Sequence, residues 1–428
     1  MLPDDRWDRL RKTPALLRRL ARVERRADIR ILEALCRLQG QTVWLVGGAL
    51  RDLLSNRPVT EIDLVLPADP FPFARELEAL GFGTAVALSD LSPRVARVAG
   101  RRDVDIAELT GGSIEADLGR RDFTVNAMAW ELGSRCFVDP FGGVPDLSRR
   151  RLRMISSRNL REDPLRVLRA ARLVATHGLR PDRALTAASR REAGELTRVA
   201  PERVRAEVVK LLDSSRVTEA LRWLGRVGAW DHVFGRPAAE GTPGGRTLPS
   251  RIDDSSVRRL PPESRRRIRL CLIATRLGLS PASAARWLLR RRFSRQEAAA
   301  VAALLALTER ARKIRDPRDA WAWVRDSADR RSEALLLLRL LLPPRSDLPR
   351  RLGALHPRRK VRLTGRDIME WLQIPSGPRV GSLLREAEIE ALRGRIRSRR
   401  EARRWLVQTH SGAPEDPAGR PPGSPHRL

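Results

Sequence analysis

Gly47 and Gly48 precede a spaced pair of acids, Glu61 and Asp63, in the run VGGALRDLLSNRPVTEIDLVL from Val46 to Leu66. On a β-strand, residues i and i+2 share a face roughly 6–7 Å apart, so two carboxylates placed there converge on one point. Asp105, in RDVDIAEL, lies on a second acid-bearing strand pattern and is the candidate third member. Clustered carboxylates repel unless cations neutralise them, and their hard oxygens suit magnesium. An isolated acid-x-acid is more often a solvated strand face; the glycines shift that balance. A glycine turn lets backbone N–H groups approach an anion, and Arg51 adds a charged fork beside it. Phosphate held against a carboxylate metal site is the arrangement of nucleotidyl transfer assisted by two metal ions.

A second constellation is Asp163 with Arg166 in EDPLRVLRAAR, expected on one helix face because residues three apart are neighbours there. Arginine offers only N–H donors and an ionised aspartate only acceptors. Cytosine presents an amino donor beside the N3 acceptor, and adenine presents one beside N1, so a single Asp–Arg pair satisfies either base. Uracil and guanine show acceptor and N–H donor the other way round and leave both side chains mismatched. Alone, this spacing is an ordinary helix salt bridge.

These residues need a scaffold. The first forty residues read as helix, with Ile29, Ile31, Leu32, Leu35 and Leu38 broadly on one face. TVWLVGG is a strand ending in glycines, ALRDLLS a short helix, and TEIDLVL and RDVDIAEL are further strands. IEADLGRRDFTVNAMAWEL reads as a helical stretch, followed by a strand RCFVDP and a glycine turn. The expected fold class is α+β: an N-terminal head of a small mixed sheet with helices over residues 28–155, then an all-α neck, body and tail. The neck, with the Asp163–Arg166 helix, is placed at 156–234, the body at 251–345 and the tail at 346–408. GRPAAEGTPGGRTLPS marks a boundary, and the Pro/Gly-rich 409–428 is expected to be disordered.

The chain has 428 residues, too many for one compact core, and 42% of them are apolar. Its 84 basic residues against 52 acidic ones leave a net charge of +32, and lysine appears only at Lys12, Lys210, Lys313 and Lys360. A polyanion is the natural partner, and arginine forks suit phosphate. Cys36, Cys136 and Cys271 are isolated, which argues against a disulfide framework or a zinc site. The start, MLPDDRWDRLRKTP, lacks the apolar core of a signal peptide. ALLLLRLLLPP is interrupted by Arg339 and reads as a buried helix, not a membrane span. A cytoplasmic protein without a membrane partner is expected. His177, His232, His356, His410 and His426 are scattered and read as surface or loop residues.

Taken in order, the motifs resemble those of the class II tRNA nucleotidyltransferases (CCA-adding enzymes) and bacterial poly(A) polymerases. Val46–Asp52 followed by Glu61-Ile62-Asp63 is similar to that family's signature, and RRDFTVNAMA from Arg120 to its RRDxTxNA helix. DPFGG at Asp139–Gly143, EDPLRVLRAAR at Glu162–Arg172 and the neck sequence PERVRAEVVKLL follow in the family's order. LTGRDIMEWLQIPSGPRVGSLLREAE resembles its tail signature, so the likeness runs from about residue 30 to 408, interrupted mainly around 235 to 345. The resemblance implies a template-independent reaction: the tRNA 3′-hydroxyl attacks the α-phosphate of CTP or ATP, and pyrophosphate leaves. It assigns Glu61, Asp63 and Asp105 to two magnesium ions, and Gly47, Gly48, Arg51, Arg120, Arg121 and Asn126 to the nucleotide. Asp163 and Arg166 then read the base, Arg169 and Arg172 meet the triphosphate, and the Arg-rich helical half cradles the tRNA acceptor arm. Asp122 either completes the metal shell in place of Asp105, which is better placed on a strand, or is structural, holding an arginine or capping a helix. Full CCA addition is the principal reading; CC-only, A-only and poly(A) addition share every motif. Two departures matter. The family's first metal acid is normally aspartate, so Glu61 also admits a catalytically impaired tRNA-binding homologue. The connection TGGSI is shorter than the loop many relatives carry, which resembles enzymes that stop after CC.

Overall fold

The computed structural model describes residues 26–59, 61–134, 136–236, 251–355, 363–392 and 395–410. The chain divides into two compact units, residues 1–258 and 259–428. The fold is α+β, with a mixed sheet at the N-terminal end and a mostly helical remainder.

The sheet grows from strands whose alternation separates an apolar face from a polar one. Its members are β1 (Val43–Val46), β2 (Glu61–Leu66), β3 (Gly83–Ser89), β4 (Val95–Gly100), β5 (Asp103–Glu108), β6 (Ala129–Leu132) and β7 (Phe137–Val138). They lie in the order β3-β4-β5-β2-β1-β6-β7; β2 and β5 run parallel, and the other neighbours are antiparallel. Ile62, Leu64, Val104 and Ile106 point into a core shared with helices α1 (Ala27–Gln39), α2 (Gly47–Leu54) and α3 (Pro70–Ala79). Burying each such side chain contributes about 1.5–3 kcal/mol, which pins the strand register. The alternate residues, Glu61, Asp63 and Asp105, are thereby committed to the opposite face. Register then brings them together: Asp63 pairs with Asp105 on β5 and with Val46 on β1, immediately before the glycines.

The stretch expected to be one helix from Ile114 to Leu132 is three elements. Helix α4 (Ile114–Gly119) ends at the arginine pair, a 3-10 turn spans Thr124–Asn126, and β6 follows. The cause is local. The Asp122 carboxylate accepts from its neighbour's amide, Phe123 N, at 2.8 Å, and the backbone turns outward: Thr124 N donates to Arg153 O, and Ile155 N to Asp122 O. Backbone groups bonded across to residues 153–155 are no longer available for helical i to i−4 bonds.

After α5 (Gly143–Ser148), the neck consists of α6 (Ser157–Glu162), α7 (Leu165–His177), α8 (Arg183–Glu192) and α9 (Pro201–Leu212). Leu165, Leu168, Ala171 and Val174 line the buried side of α7, which closes at Gly178 with φ +65° and packs on α9. Residues 251–258 pack with this first unit, where Ile252 and Val257 are buried and Asp253 accepts from Val217 N and Thr218 N at 3.2 and 2.7 Å. The Pro/Gly-rich boundary over 237–250 and the C-terminal 411–428 lie outside the described residues.

The described residues of the second unit are mostly helical, from the helix that starts at Pro262 to the one that ends at His410. The leucine-rich run forms the helix Arg331–Leu341, burying Ala334, Leu337, Leu338 and Leu340. Arg267 ties that helix to an earlier one through Glu333 at 2.8 Å. Among the described residues, no helix is long and apolar enough to cross a membrane.

Candidate active site

On the polar side of the sheet, β1, β2 and β5 meet the neck helices around a cavity of 970 Å³ within the first unit. It is lined by residues that lie far apart in sequence, from Gly47 to Lys210. The glycines form its first wall. Gly47 starts α2 with φ +67°, a left-handed conformation that favours glycine, and a Cβ there would sit 2.9 Å from Asp63 Oδ2 and 3.1 Å from Arg121 Nη1. The Gly48 amide donates to Asp63 Oδ2 at 3.2 Å. The Gly48 amide, expected to face an anion, therefore faces the carboxylate itself.

Glu61, Asp63 and Asp105 make the second wall, all directed into the cavity. Burial pushes the Asp63 carboxyl above its ordinary range; Asp105 and Glu61 add to the rise, and Arg121 opposes it. Protein cations answer the other two acids. Arg97 grips Asp105 with a two-pronged fork at 2.6 and 2.7 Å, and the Lys210 ammonium stands 3.6 Å from Glu61 Oε1. The donor set is hard oxygen and its excess negative charge suits a divalent cation. Asp63 and Glu61 both line the cavity, whereas Asp105 is held by a bidentate arginine. Among the described residues, no three His, Cys, Asp or Glu side chains converge closely enough to enclose an ion unaided.

The third wall is the start of α7, and its geometry differs from one shared helix face. Pro164 cannot donate to a preceding turn, so the helix begins after it. Asp163 lies ahead in extended backbone, accepting from Leu165 N at 3.3 Å and from Arg203 at 2.9 Å. Arg166, on the helix, donates to the main-chain oxygens of Arg120 and Arg121 at 2.8 and 3.3 Å. Both side chains still line the cavity, with Arg166 N bonded to Asp163 O at 3.0 Å. Three of the five arginine donors remain for a ligand, and the carbonyls hold the fork in one orientation.

Behind these walls runs a charged network. Asp122, 4% exposed, accepts from Asn126 Nδ2 at 2.9 Å and from Arg169 Nε at 2.7 Å. Burial opposes its charge, yet the Arg169 guanidinium and these hydrogen bonds outweigh that and hold the carboxyl down at about 2. Glu207 on α9 pairs with Arg172 at 2.9 Å and lies 3.8 Å from Arg169. Arg51, also buried, donates to Asn126 Oδ1 at 2.6 Å and to Asp52 at 2.9 Å. Arg120 and Arg121 reach the cavity from the end of α4, the latter held by Asp117 at 2.9 Å.

Three contributors were not read from the sequence. His177, expected at the surface, is only partly exposed at the end of α7, with Nε2 2.7 Å from Asp52 Oδ1. Burial holds its imidazole below the usual value, against the pull of Asp52. Glu207 and Lys210 are the others. With Arg203 they stand at i, i+4 and i+7 along α9, one face of a helix, and that periodicity was the available signal.

The mixed sheet therefore presents glycine-fronted acids beneath a helical neck. In comparison with known proteins, residues 43–153 match the poly A polymerase head domain, and residues 178–240 match the probable RNA and SrmB-binding site of polymerase A. A CC-adding tRNA nucleotidyltransferase of Geobacter sulfurreducens is 34% identical over 207 residues, covering 48% of each chain. An A-adding tRNA nucleotidyltransferase of Deinococcus radiodurans is 42% identical over 192 residues, covering 44% of each. These matches span about half the length of the curated relatives. The solved Thermotoga maritima CCA-adding enzyme complexed with tRNA superposes with a TM-score of 0.69 at 22% identity, covering 92% of this chain and 98% of that one. Over residues 43–153 and 178–240 the chain is thus similar to the head and RNA-binding domains of that polymerase group, and its fold resembles that of solved CCA-adding enzymes.

Proposed function

We propose that this protein is a tRNA nucleotidyltransferase that adds C and A residues from CTP and ATP to the tRNA 3′ end. The observation that carries the reading is the single cavity in which Glu61 and Asp63 face Asp163 and Arg166, a reacting site and a base-sized recognition pair held together. Magnesium held by Glu61 and Asp63, with Asp105 if Arg97 yields, would neutralise triphosphate charge and favour ionisation of the attacking hydroxyl. The protein's own residues do the rest. Asp163 accepts the amino hydrogens of cytosine or adenine while Arg166 donates to N3 or N1. For uracil or guanine the same pair leaves donors facing donors, a buried mismatch costing about 1–3 kcal/mol for each group. Asp122 and Glu207 hold Arg169 and Arg172 beside the triphosphate, and Asn126, fixed by Arg51 and Asp122, meets the nucleotide from the opposite side.

Full CCA addition is our principal reading. C-only addition is the second, favoured by the CC-adding relatives and by the connection of just Leu109–Ser113 between β5 and α4. The acceptor arm of tRNA is the proposed partner, which places the activity in the cytoplasm. One experiment tests all of this: purified protein, tRNA lacking its 3′ end, labelled CTP and ATP, and products resolved nucleotide by nucleotide. Extension by CCA supports the principal reading and arrest after CC the second; a long A tract would point to poly(A) synthesis, and no extension refutes them all.

A further inference from the structure

Most cations facing the cavity are already committed to close partners. Arg51 is bonded to Asn126 at 2.6 Å, Arg121 to Asp117 at 2.9 Å, Arg166 to a main-chain oxygen at 2.8 Å, and Arg169 to Asp122 at 2.7 Å. Lys210 differs. Its ion pair with Glu61 is 3.6 Å long, beyond hydrogen-bond distance, and both side chains are about half exposed, 49% and 50%. Such a pair is worth little and exchanges readily. It is also a rare residue here, one of four lysines in a chain with 84 basic residues. A lysine is a point charge on a flexible stem with three rotating donors, suited to following a phosphate rather than fixing a planar group.

Position gives that mobility a purpose. Lys210 projects from α9 one turn after Glu207, on the face that closes the cavity, and it stands at the wall made by Glu61, Asp63 and the Gly47–Gly48 turn. Glu61 is the longer acid, which carries its carboxylate outward to the neck helix. We propose that Lys210 is a triphosphate-binding residue: it rests on Glu61 in the nucleotide-free enzyme and turns to the β- and γ-phosphates when CTP or ATP enters. The inference rests on the transferase reading above and extends it to the leaving group. Charge on Glu61 keeps the ammonium at the site, and the arriving polyanion outcompetes a single half-exposed carboxylate. Because it meets phosphate and not base, Lys210 contributes equally to CTP and ATP.

The test uses the full chain with Lys210→Met, which keeps the stem and removes the charge, and with Lys210→Arg. Calorimetric titration compares ATP, CTP, AMP and inorganic pyrophosphate. Losing one charge-assisted contact should weaken ATP, CTP and pyrophosphate roughly tenfold to a hundredfold while leaving AMP unchanged. Lys210→Arg should recover most of the loss, and in turnover KM for both nucleotides should rise more than kcat falls. Unchanged pyrophosphate and ATP affinity in Lys210→Met overturns the proposal, as does an equal loss of AMP, which would mark a purely structural role. Wild-type protein that binds neither CTP nor ATP would refute the transferase reading itself. Wild type that binds both, with an indistinguishable Met variant, refutes only the role of Lys210.

Discussion

Asp122 is buried among groups that all want it charged: Arg169, Asn126 and the Phe123 amide. Its carboxyl is held down at about 2 in the folded protein, below the ordinary 3.8 of an aspartate, because the Arg169 guanidinium and its hydrogen bonds outweigh burial. A depressed acid contributes stability above its unfolded value and loses it as pH falls through that value towards the folded one. Asp122→Asn should therefore cost roughly 2 kcal/mol at neutral pH, and the gap from wild type should close between about pH 5 and pH 2. Denaturant unfolding across that range measures it; a constant gap would mean that packing, not charge, is what Asp122 supplies. An arginine-holding role was one of the uses its sequence left open, and its partner Arg169, 47 positions on, was not legible. That Glu61, Asp63 and Asp105 lie on one polar face was legible, since strand alternation fixes which face each acid takes. His177 was not, because Asp52, its partner, lies 125 positions earlier and nothing local announces the contact.

Helix α9 binds three constituents of the site with one face. Arg203 reaches Asp163 at 2.9 Å, Glu207 reaches Arg172 at 2.9 Å, and Lys210 approaches Glu61 at 3.6 Å. Removing the central acid leaves Arg172, 16% exposed, without its acidic partner. Glu207→Ala should cost about 2–3 kcal/mol of stability and raise nucleotide KM more than it lowers kcat, because Arg169 keeps Asp122 while Arg172 loses its anchor. Steady-state kinetics with denaturant unfolding check both; unchanged KM would detach α9 from the nucleotide. The charge spacing of α9 was visible in the sequence, but its partners were not, since they come from β2, α7 and Asp163, two residues before α7. The helical reading of RRDFTVNA failed because pairing of Asp122 and Thr124 with residues 153–155 takes backbone groups a helix needs, in a segment whose Phe, Thr, Val and Asn are weak helix formers. The tail signature was noted as a resemblance and its helix start was not read; there Thr364 and Asp367 form a reciprocal cap, with Thr364 N donating to Asp367 at 2.7 Å and Asp367 N to Thr364 Oγ1 at 3.3 Å.

At the scale of the whole chain, the net charge of +32 is the dominant physical fact. Arginines that meet RNA phosphates release condensed counterions, so tRNA affinity should fall linearly with salt on logarithmic axes, with a slope of several units. Fluorescence anisotropy over a salt series measures the slope; a flat response would make the arginine content a matter of composition and not of binding. The order of sheet, neck and helical remainder was readable because hydrophobic period changes along the chain. Where the first unit ends was not, since Asp253 caps the helix Val217–Arg226 across a Pro/Gly-rich stretch that looks like a clean boundary.

In the proposed function, one cavity both holds the reacting phosphate at Asp63 and chooses the base with Asp163 and Arg166. The most direct measurement offers CTP, ATP, UTP and GTP separately to wild type and to Asp63→Ala, with tRNAs ending before the first C or before the terminal A, while tRNA affinity is measured in parallel. Wild type should incorporate C and A and refuse U and G, and Asp63→Ala should incorporate nothing yet bind tRNA within a few-fold of wild type. Incorporation of UTP or GTP at comparable rates, or turnover retained in Asp63→Ala, would contradict it.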